Sequence, residues 1–282
     1  MKLAHLILAH NNPSQLERLV RRLSNRDADV YIHLDLKADM TAYESIKDIP
    51  NTFFVAKRVN VMWCEYSTIQ GTLNGMEQIL ETGIAYSHIN LLSGNDYPLQ
   101  SAGHIQRFLF DNPGKTYMWY ELIFNEWHHG QVRINEYHFN DYNIRGLWRV
   151  ADLFNKYLPN RKLPGNLTPY GRAQWLTITP ACTAYVLRYI KDNRAMRRFF
   201  RMTWAVDEVF FQTILCNSPL RDTLVNDNLR HVRLNAGYRP VTYTIADAEE
   251  LSSSGKFYAR KFDANQDSAI FDYLDDHFLI KV

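Results

Sequence analysis

Apolar, strand-like runs alternate with segments of helical periodicity through the first 120 residues of this 282-residue chain. The first run, Leu3–Ala9, is followed by apolar residues at helical spacing, with Asn12 or Ser14 as the expected helix cap. Three more strand-like runs follow at Val30–Leu34, Thr52–Ala56 and Ser87–Leu92, with helices expected at 68–80 and 102–110. This alternation predicts an α/β fold with a mostly parallel central sheet flanked by helices. Such sheets bind ligands at the carboxyl ends of their strands.

The pattern changes after this region and then returns. Residues 121–170 are rich in His, Tyr, Trp and Asn, so we expect loops there, with Trp119–Trp148 as a candidate substrate groove. Regular elements are expected afterwards, namely strands at Gln174–Ile178 and Phe257–Phe262 and helices at Pro180–Lys191, from Asp207, at Ala246–Leu251 and at Gln266–Phe278. The chain has no repeats or linkers, so residues 1–282 are predicted to form a single domain.

Composition excludes several classes of protein. The formal net charge is only +2, so no nucleic-acid partner is indicated. Three cysteines without CxxC spacing argue against a disulfide framework or a zinc site and fit a reducing compartment. No stretch approaches the roughly 18 apolar residues of a membrane helix, so we expect a cytoplasmic protein without an integral membrane segment. P-loop, G-x-S-x-G and H-E-x-x-H motifs are absent from the sequence.

Two adjacent carboxylates, Asp207 and Glu208, precede an aromatic and aliphatic run. Asp207 suits the N-cap of a helix, where its side chain would accept a bond from a backbone N–H. In that helix Glu208 would share a face with Phe211, Gln212 and Leu215. A carboxylate held against apolar side chains has a raised pKa, in the range useful for a general base. The alternative is a surface Glu that stabilises the helix dipole.

Polar side chains collect where the first, second and fourth predicted strands end: His10 with Asn12, His33 with Asp35, and Asp96. In a parallel sheet these ends share one edge. One interpretation is a metal site, in which His33 and Asp35 lie on one strand face and His10 or Asp96 completes the ligands of a hydrolase. A second is a nucleotide pocket, in which Asp35 accepts hydrogen bonds from a base or ribose. A third is that these residues satisfy loop backbone groups, and spacing does not choose among the three.

The segment FYARKFD, Phe257–Asp263, places two basic residues near the C-terminus. Strand alternation separates Lys261 from Arg260 and gives it less polar neighbours. Lys261 is therefore a candidate point charge for a phosphate, with Arg239 of the turn GYRP as a bidentate partner. The alternative is a salt bridge, from Lys261 to Asp263 or from Arg260 to an acid.

Six segments of the chain form a recognisable series: LILAHNNPSQLERLVRRL, YIHLDLK, LLSGNDYPL, DEVFFQTILCNSP, VNDNLRHV and FYARKFD. In this order they resemble the core-2/I-branching β-1,6-N-acetylglucosaminyltransferase and peptide O-xylosyltransferase family, glycosyltransferase family 14. The resemblance extends over nearly the whole chain and is weakest between residues 121 and 170. It implies a GT-A-type α/β fold whose nucleotide-sugar-binding half is 1–120 and whose acceptor-binding and catalytic half is 121–282.

The resemblance also implies an activity. Members transfer a sugar, here GlcNAc or xylose, from a UDP-sugar to a hydroxyl of a glycan with inversion and without an obligatory metal or other cofactor. Glu208 would be the general base that takes the proton of the acceptor hydroxyl, while Asp207 remains a helix cap. Lys261 and, through a loop alignment, Arg239 would stabilise the departing UDP.

Further binding residues follow from the same resemblance. Asp35 matches an acid that contacts the nucleoside, and His10 with Asn12 lies in the neighbouring loop. Asp96 stands where a metal-binding DxD motif would occur. Because SGND lacks the paired acids, the resemblance makes Asp96 a contact to the donor sugar or a structural residue and disfavours a metal site.

Two features differ from the animal members of this family. The membrane anchor with its stem and the cysteine framework are both missing from the sequence. We therefore expect a bacterial or other cytoplasmic enzyme acting on a surface polysaccharide or glycolipid precursor, with peripheral membrane association as an option. Two further hypotheses stay open: a metal-dependent hydrolase that uses His10, His33 and Asp35, and a non-catalytic sugar-binding protein of the same fold.

Overall fold

The computed structural model describes residues 1–139, 144 and 146–279 of the chain. These residues fall into two compact units. The first unit comprises Met1–Phe54, Ile84–Pro113 and the chain from Leu229 on, and the second comprises Val55–Gly83 and Gly114–Asn228. Each unit is therefore assembled from stretches that are distant in sequence. The single domain over 1–282 and its two functional halves stay predictions.

Strands and helices alternate along the chain as the sequence predicts. The described strands are β1 (Lys2–Ala9), β2 (Ala28–Leu34), β3 (Thr52–Phe54), β4 (Tyr86–Ser93), β5 (Asp96–Pro98), β6 (Thr116–Leu122), β7 (Tyr170–Ile178), β8 (Leu224–Asn226), β9 (Arg230–Val232) and β10 (Tyr258–Arg260). The described helices are α1 (Pro13–Leu23), α2 (Glu44–Lys47), α3 (Tyr66–Glu81), α4 (Ala102–Asp111), α5 (Gln131–Asn135), α6 (Leu147–Tyr157), α7 (Pro180–Asp192), α8 (Arg194–Phe200), α9 (Phe210–Cys216), α10 (Ala248–Ser253) and α11 (Ala269–Leu279). Within the described ranges, no helix combines the length and the apolar character needed to cross a membrane.

A parallel sheet forms the centre of the first unit. β1 pairs in parallel with β2 and β4, and β2 pairs in parallel with β3, so the order is β3-β2-β1-β4. Every residue of β2 and β4 is buried. Continuous apolar runs are typical of parallel strands covered on both faces, which explains why the sequence marked these strands clearly. The predicted α/β fold with a mostly parallel sheet is confirmed.

The first helix is fixed by its cap and by one buried amide. Asn12 adopts a left-handed conformation with φ of 50°, and its side chain accepts a bond from the N–H of Gln15 at 3.3 Å. The buried Gln15 amide donates to the carbonyl oxygens of Gly94 (3.0 Å) and Phe262 (3.1 Å) and accepts from the N–H of Ala264 (2.8 Å). A single side chain thus links α1 to the loops that follow β4 and β10.

A second, smaller sheet of the first unit has the order β5-β10-β9. Here β10 is antiparallel to β5 and parallel to β9. The strand predicted over Phe257–Phe262 is shorter than expected, because β10 ends at Arg260. The predicted alternation, which places Phe257, Ala259 and Asp263 on the face of Lys261, therefore fails beyond that point. Lys261 is exposed, whereas Phe257 and Ala259 are buried.

In the second unit β6 is the middle strand, antiparallel to β7 and parallel to β8. Helix α9 packs on β7, and all of its residues from Phe210 to Cys216 are buried. Helices α3 and α7 contact each other. The burial of α9 explains its nearly continuous apolar sequence, which carries no amphipathic pattern.

The prediction of loops over 121–170 is wrong in part. This segment contains α5 and α6 as well as one end each of β6 and β7. In α6 only Ala151 is buried, and apolar side chains such as Leu153 and Tyr157 are exposed. The apolar residues of α6 do recur at helical spacing in the sequence, and the prediction of loops overlooked this signal. Residues 140–143 and 145 of the predicted loop segment lie outside the described residues.

Candidate functional site

Glu208 ends a tight 3-10 turn, Val206–Glu208, in the second unit. The turn follows Ala205, which has left-handed angles, φ 47° and ψ 45°, although it is not a glycine. The N–H of Glu208 donates to the carbonyl oxygen of Ala205 at 3.1 Å and so closes the turn. Strained backbone conformations of this kind are concentrated at functional sites, where the surrounding packing imposes them.

The predicted role of Asp207 as a helix N-cap is wrong. Helix α9 begins only at Phe210, and neither the turn nor the helix has a side-chain capping bond. Both acids lie in the 3-10 turn, and Val209, with φ −128° and ψ −17°, separates this turn from α9. For the same reason Glu208 is not part of a helix face, so the predicted common face with Phe211, Gln212 and Leu215 is also wrong.

The Glu208 carboxylate is bound by the guanidinium of Arg133, a residue of α5. Arg133 Nε donates to Glu208 Oε2 at 2.7 Å, and a terminal guanidinium nitrogen contacts the same oxygen. The Arg133 side chain is only 11% exposed, against 33% for Glu208. Charged hydrogen bonds of this kind are short and strong, and partial burial strengthens them further.

Arg133 itself is held between two indole rings. Its guanidinium carbon lies 4.7 Å from the ring centre of Trp127 and 5.0 Å from that of Trp204. A further bond, from Arg133 Nη1 to the carbonyl oxygen of His129 at 2.9 Å, fixes the plane of the guanidinium. Cation–π contacts and this bond position Arg133 before it contacts Glu208.

Electrostatics around Glu208 act in two directions. Burial raises the pKa of the Glu208 carboxyl above its ordinary value, while the nearby Arg133 and Arg172 guanidinium groups partly oppose that rise. The pKa of the adjacent Cys64 thiol is raised by burial and further by Asp207 and Glu208. Cys64 is therefore a neutral thiol and not a nucleophile, whereas Glu208 has the raised basicity of a general base.

The two oxygens of the Glu208 carboxylate differ in their contacts. Both contacts from Arg133 go to Oε2. Across residues 1–139, 144 and 146–279, no side chain or backbone group donates a hydrogen bond to Oε1. A carboxylate with one oxygen anchored and the other open can accept a proton from a hydroxyl without losing its orientation.

Trp127 packs against two glycines that leave no room for a side chain. A Cβ on Gly171 would lie 2.7 Å from Trp127 Cζ3 and 2.8 Å from the carbonyl oxygen of Glu208. A Cβ on Gly130 would lie 2.6 Å from Trp127 Cε3. The close approach of β7 through Gly171 therefore fixes both the indole and the backbone of Glu208.

A second arginine and indole pair lies beside the first. The Arg172 guanidinium carbon is 4.5 Å from the ring centre of Trp119 and 5.6 Å from that of Trp127. Arg172 Nε also lies 3.5 Å from Glu121 Oε1 on the neighbouring strand. Trp119 is 37% exposed, so one face of this aromatic group is open to a ligand. Flat, partly exposed indoles suit stacking on a sugar ring.

The sequence pointed to this aromatic group but not to its arginines. Trp119–Trp148 was expected to form a groove, and Trp119 and Trp127 do lie around Glu208's partners. The roles of Arg133 and Arg172 were missed, since neither stands in a motif with Glu208. The available signal for Arg133 was its position in the same segment as Trp119 and Trp127, whereas Arg172 lies outside that segment and had no such signal.

Three predicted binding residues lie at strand ends of the first unit. Asn12 caps α1. Asp35 follows β2, is buried, accepts from the N–H of Lys37 at 2.9 Å and lies 3.4 Å from the Lys37 ammonium. Asp96 is also buried and accepts from the N–H and Oγ of Ser93 at 2.9 and 2.8 Å. These contacts favour structural roles for Asn12 and Asp96, and their roles toward a donor stay predictions.

The other three predicted binding residues are exposed. His10 directly follows β1, Arg239 lies in the turn that closes on Asn235, and Lys261 follows β10. The backbone of Lys261 is fixed, because its N–H donates to Val241 and its carbonyl accepts from Tyr243. Neither Arg239 nor Lys261 forms an ion pair with any residue of the described ranges. The alternative of an ion pair from Arg260 is observed, with its Nε 3.5 Å from Asp96 Oδ1.

Metal ligation was one interpretation of the strand-end residues. Among the residues that the structure describes, no three or more His, Cys, Asp or Glu side chains come together in a way that would hold a metal ion. His33 is fully buried within β2, whereas His10 is exposed. The ligand set of His10, His33 and Asp35 considered for a hydrolase is therefore not assembled here.

Comparison with known proteins gives the relationship of the chain. The family model described as Core-2/I-Branching enzyme matches residues 3–253. The chain belongs to the core-2/I-branching enzyme family. It is thus a member of a glycosyltransferase family, and the predicted family is confirmed. Five of the six sequence segments lie within the matched residues, whereas FYARKFD lies beyond them.

Several known proteins are similar to this core-2/I-branching family member. Xylosyltransferase 2 of Rattus norvegicus is 25% identical over 301 residues, which cover 98% of this chain and 34% of the relative. Xylosyltransferase oxt of Drosophila melanogaster is 24% identical over 287 residues, covering 93% and 32%. The chain therefore spans about a third of the length of these relatives. Among solved structures, the apo form of mouse xyloside xylosyltransferase 1 has a TM-score of 0.36 and 11% identity, covering 77% of this chain and 83% of that one.

Gly171→Ala tests the packing around Trp127. The new methyl group would collide with the Trp127 indole and with the Glu208 carbonyl oxygen, so we expect a loss of about 2 kcal/mol in the free energy of unfolding. Denaturant titration followed by tryptophan fluorescence measures both the loss and the displacement of the ring. The matched control is Gly103→Ala in α4, where a Cβ meets nothing within 4 Å and stability should be unchanged or slightly higher. Equal stability of the two variants would contradict the close packing.

Proposed function

We propose that this chain is an inverting glycosyltransferase with a UDP-sugar donor and a hydroxyl of a glycan or glycolipid as acceptor. The observation that carries the proposal is the Glu208 carboxylate, which is partly buried, anchored at one oxygen by Arg133 and open at the other. Membership of the core-2/I-branching family supports sugar transfer as the reaction. Xylose is the first donor sugar to test because the named relatives are xylosyltransferases, with GlcNAc as the second.

The proposed reaction is a single displacement. Glu208 Oε1 takes the proton of the acceptor hydroxyl while that oxygen forms a bond to the anomeric carbon of the donor sugar. The bond from the anomeric carbon to the UDP oxygen breaks, and UDP leaves with the bonding electron pair. One displacement inverts the anomeric configuration and requires one base on the face opposite the leaving group.

The proposal gives Arg133 a positioning role. Its guanidinium fixes Oε2 and lowers the pKa of the Glu208 carboxyl, whereas burial raises that pKa. The net shift is upward, so Glu208 is a stronger base than an exposed Glu. The two indoles around Arg133 prevent it from following the carboxylate into solvent.

Stabilisation of the UDP leaving group is assigned to Lys261 and Arg239 by the family resemblance. Their exposed cationic groups, without ion-pair partners in the described part of the chain, are compatible with that role. His10, Asn12, Asp35 and Asp96 remain the candidate donor contacts from the same resemblance. A GT-A-type fold, transfer without an obligatory metal and action on a surface-polysaccharide or glycolipid precursor are parts of this proposal.

Glu208→Gln tests the base directly. The amide keeps the shape of the side chain but cannot take a proton, so transfer should fall by about 10²–10⁴-fold while UDP binding is retained. Transfer and slow donor hydrolysis are followed by UDP release with a panel of UDP-sugars in EDTA, and binding is followed by calorimetry. Glu81→Gln, at the exposed end of α3, is the control and should retain full activity. Full activity of Glu208→Gln would remove Glu208 from the mechanism, and donor binding without any turnover in the wild type would favour a sugar-binding protein.

Arg133→Met tests the electrostatic balance through pH. The active form of Glu208 is the carboxylate, so kcat/KM should fall as pH decreases through its pKa, above the ordinary value for Glu. Arg133 lowers that pKa, so its removal should raise the pKa further and move the acid limb of the profile to higher pH. The control is Arg149→Met, which also removes a guanidinium near an indole, since Arg149 lies 5.3 Å from the Trp148 ring centre. This variant should leave the acid limb of the pH profile unchanged. An unchanged acid limb in Arg133→Met would contradict the assignment.

A further inference from the structure

Four arginines lie on one face of a short helix of the second unit. Arg194, Arg197 and Arg198 belong to α8, and Arg201 directly follows its last residue. Their spacing of three, four and seven positions after Arg194 places all four on the same side of a helix. The opposite side consists of Met196, Phe199 and Phe200, which are buried. The packing of α8 thus directs four positive charges outward together.

The four side chains line an open cleft with a volume of about 800 Å³. Gln70 of α3 and Ala195 complete the lining. The guanidinium of Arg201 lies 5.6 Å from the ring centre of Tyr66, and the amide of Gln70 is oriented by its bond to Asn74 at 2.8 Å. The cleft therefore has a cationic wall on α8 and a polar contribution from Gln70 of α3, both within the second unit.

These arginines differ from many others in the same chain by having no acidic partner. Arg18, Arg133 and Arg233 each form ion pairs with carboxylates. Within residues 1–139, 144 and 146–279, none of the four cleft arginines forms an ion pair. Like charges at these spacings repel each other, so the arrangement is unfavourable unless an anion neutralises it.

The helix dipole does not account for the cluster. Basic residues in the last turn of a helix are stabilised by the dipole, which explains Arg197 and Arg198. Arg194 occupies the first position of α8, where the dipole opposes a positive charge. The helix dipole therefore stabilises the positive charges at one end of α8 only. What the charges at both ends share is the cleft that they line.

We propose that this cleft binds a phosphate-bearing ligand with two or more negative charges. Guanidinium groups bind phosphate oxygens through paired hydrogen bonds, and four of them match a diphosphate better than a single carboxylate. The cleft is larger than a phosphate ion requires and has the size of pockets that hold nucleotide- or sugar-sized ligands. The exposed face of Arg194 and Arg198 admits either a soluble ligand or the headgroup of a lipid.

The lining of the cleft contains none of the residues proposed for catalysis or UDP binding. Glu208, Arg133, Lys261 and Arg239 are all absent from it. Binding at the cleft therefore does not depend on sugar transfer, and each proposal can fail while the other holds.

Calorimetric titration with inorganic pyrophosphate tests the site. The variant Arg194→Gln/Arg198→Gln changes two exposed side chains and should weaken binding by about tenfold or more, since each lost charged hydrogen bond contributes strongly. The control Arg21→Gln/Arg26→Gln removes the same charge from two exposed arginines of the first unit and should change binding less than about twofold. Circular dichroism checks that both variants fold, and Arg197→Gln/Arg201→Gln provides a second test of the same face.

Two further arms identify the source of the phosphate. Sedimentation with phosphatidic acid vesicles, whose phosphomonoester carries up to two negative charges, against phosphatidylcholine vesicles, shows whether the cleft captures a lipid headgroup, and capture that the cleft variant loses supports a lipid source. The KM for the UDP-sugar in the transfer assay reports the donor site alone and should be the same for the wild type and the cleft variant. Equal loss of pyrophosphate binding in the cleft and control variants, or no binding in either arm, overturns the proposal. A raised KM in the cleft variant would assign these arginines to the donor and overturn a separate site.

Discussion

The candidate site depends on one charged contact, the bond from Arg133 to a single oxygen of Glu208. A partly buried carboxylate is stable only when a partner offsets the loss of water, and here the partner approaches from one side. The other oxygen therefore stays available. The tight turn from Val206 to Glu208 and the left-handed Ala205 direct the Glu208 side chain toward Arg133. The strained backbone and the charged contact therefore favour the same position of the carboxylate.

The contact is maintained by packing that tolerates little change. Arg133 lies between Trp127 and Trp204, and Trp127 in turn rests against the bare backbone of Gly130 and Gly171. An indole between two glycines cannot rotate without opening a void, and dense packing makes such voids costly. Strand β7 packs against Trp127 through Gly171, Trp127 contacts Arg133, and Arg133 binds the Glu208 carboxylate. The sheet thereby positions a side chain that lies outside it.

Much of the fold could be predicted from sequence because of the chemistry of parallel strands. The run Leu3–Ala9 is apolar except for His5, since both faces of its sheet are covered. Ser87–Leu92 is equally buried although Ser87, His88 and Asn90 are polar. The helix cap at Asn12 was readable from its residue type. Helix α6 was overlooked although its apolar residues recur at helical spacing, because the surrounding segment is rich in His, Tyr, Trp and Asn. The cap at Asp207 was wrong because a 3-10 turn, which has no sequence signal, contains Asp207 and delays the start of α9 to Phe210.

The candidate site was predictable only in part, because its residues are distant from one another in the sequence. Glu208 could be found from an acid placed before an apolar run and from the family resemblance, but Arg133 lies 75 positions away and meets it only in the folded chain. Family membership supplies the reaction class, whereas the orientation of the base is a property of this structure. The roles proposed for Lys261 and Arg239 still rest on resemblance.

The most direct test of the central claim is the anomeric configuration of the transferred sugar, measured by proton NMR on the product formed from a UDP-sugar. UDP-xylose and UDP-GlcNAc carry the sugar in the α configuration. A single displacement assisted by one base gives a β-linked product, which has a large coupling between the first two ring protons. The account predicts the β product alone. An α-linked product would contradict it, because retention requires a different mechanism from the one assigned to Glu208.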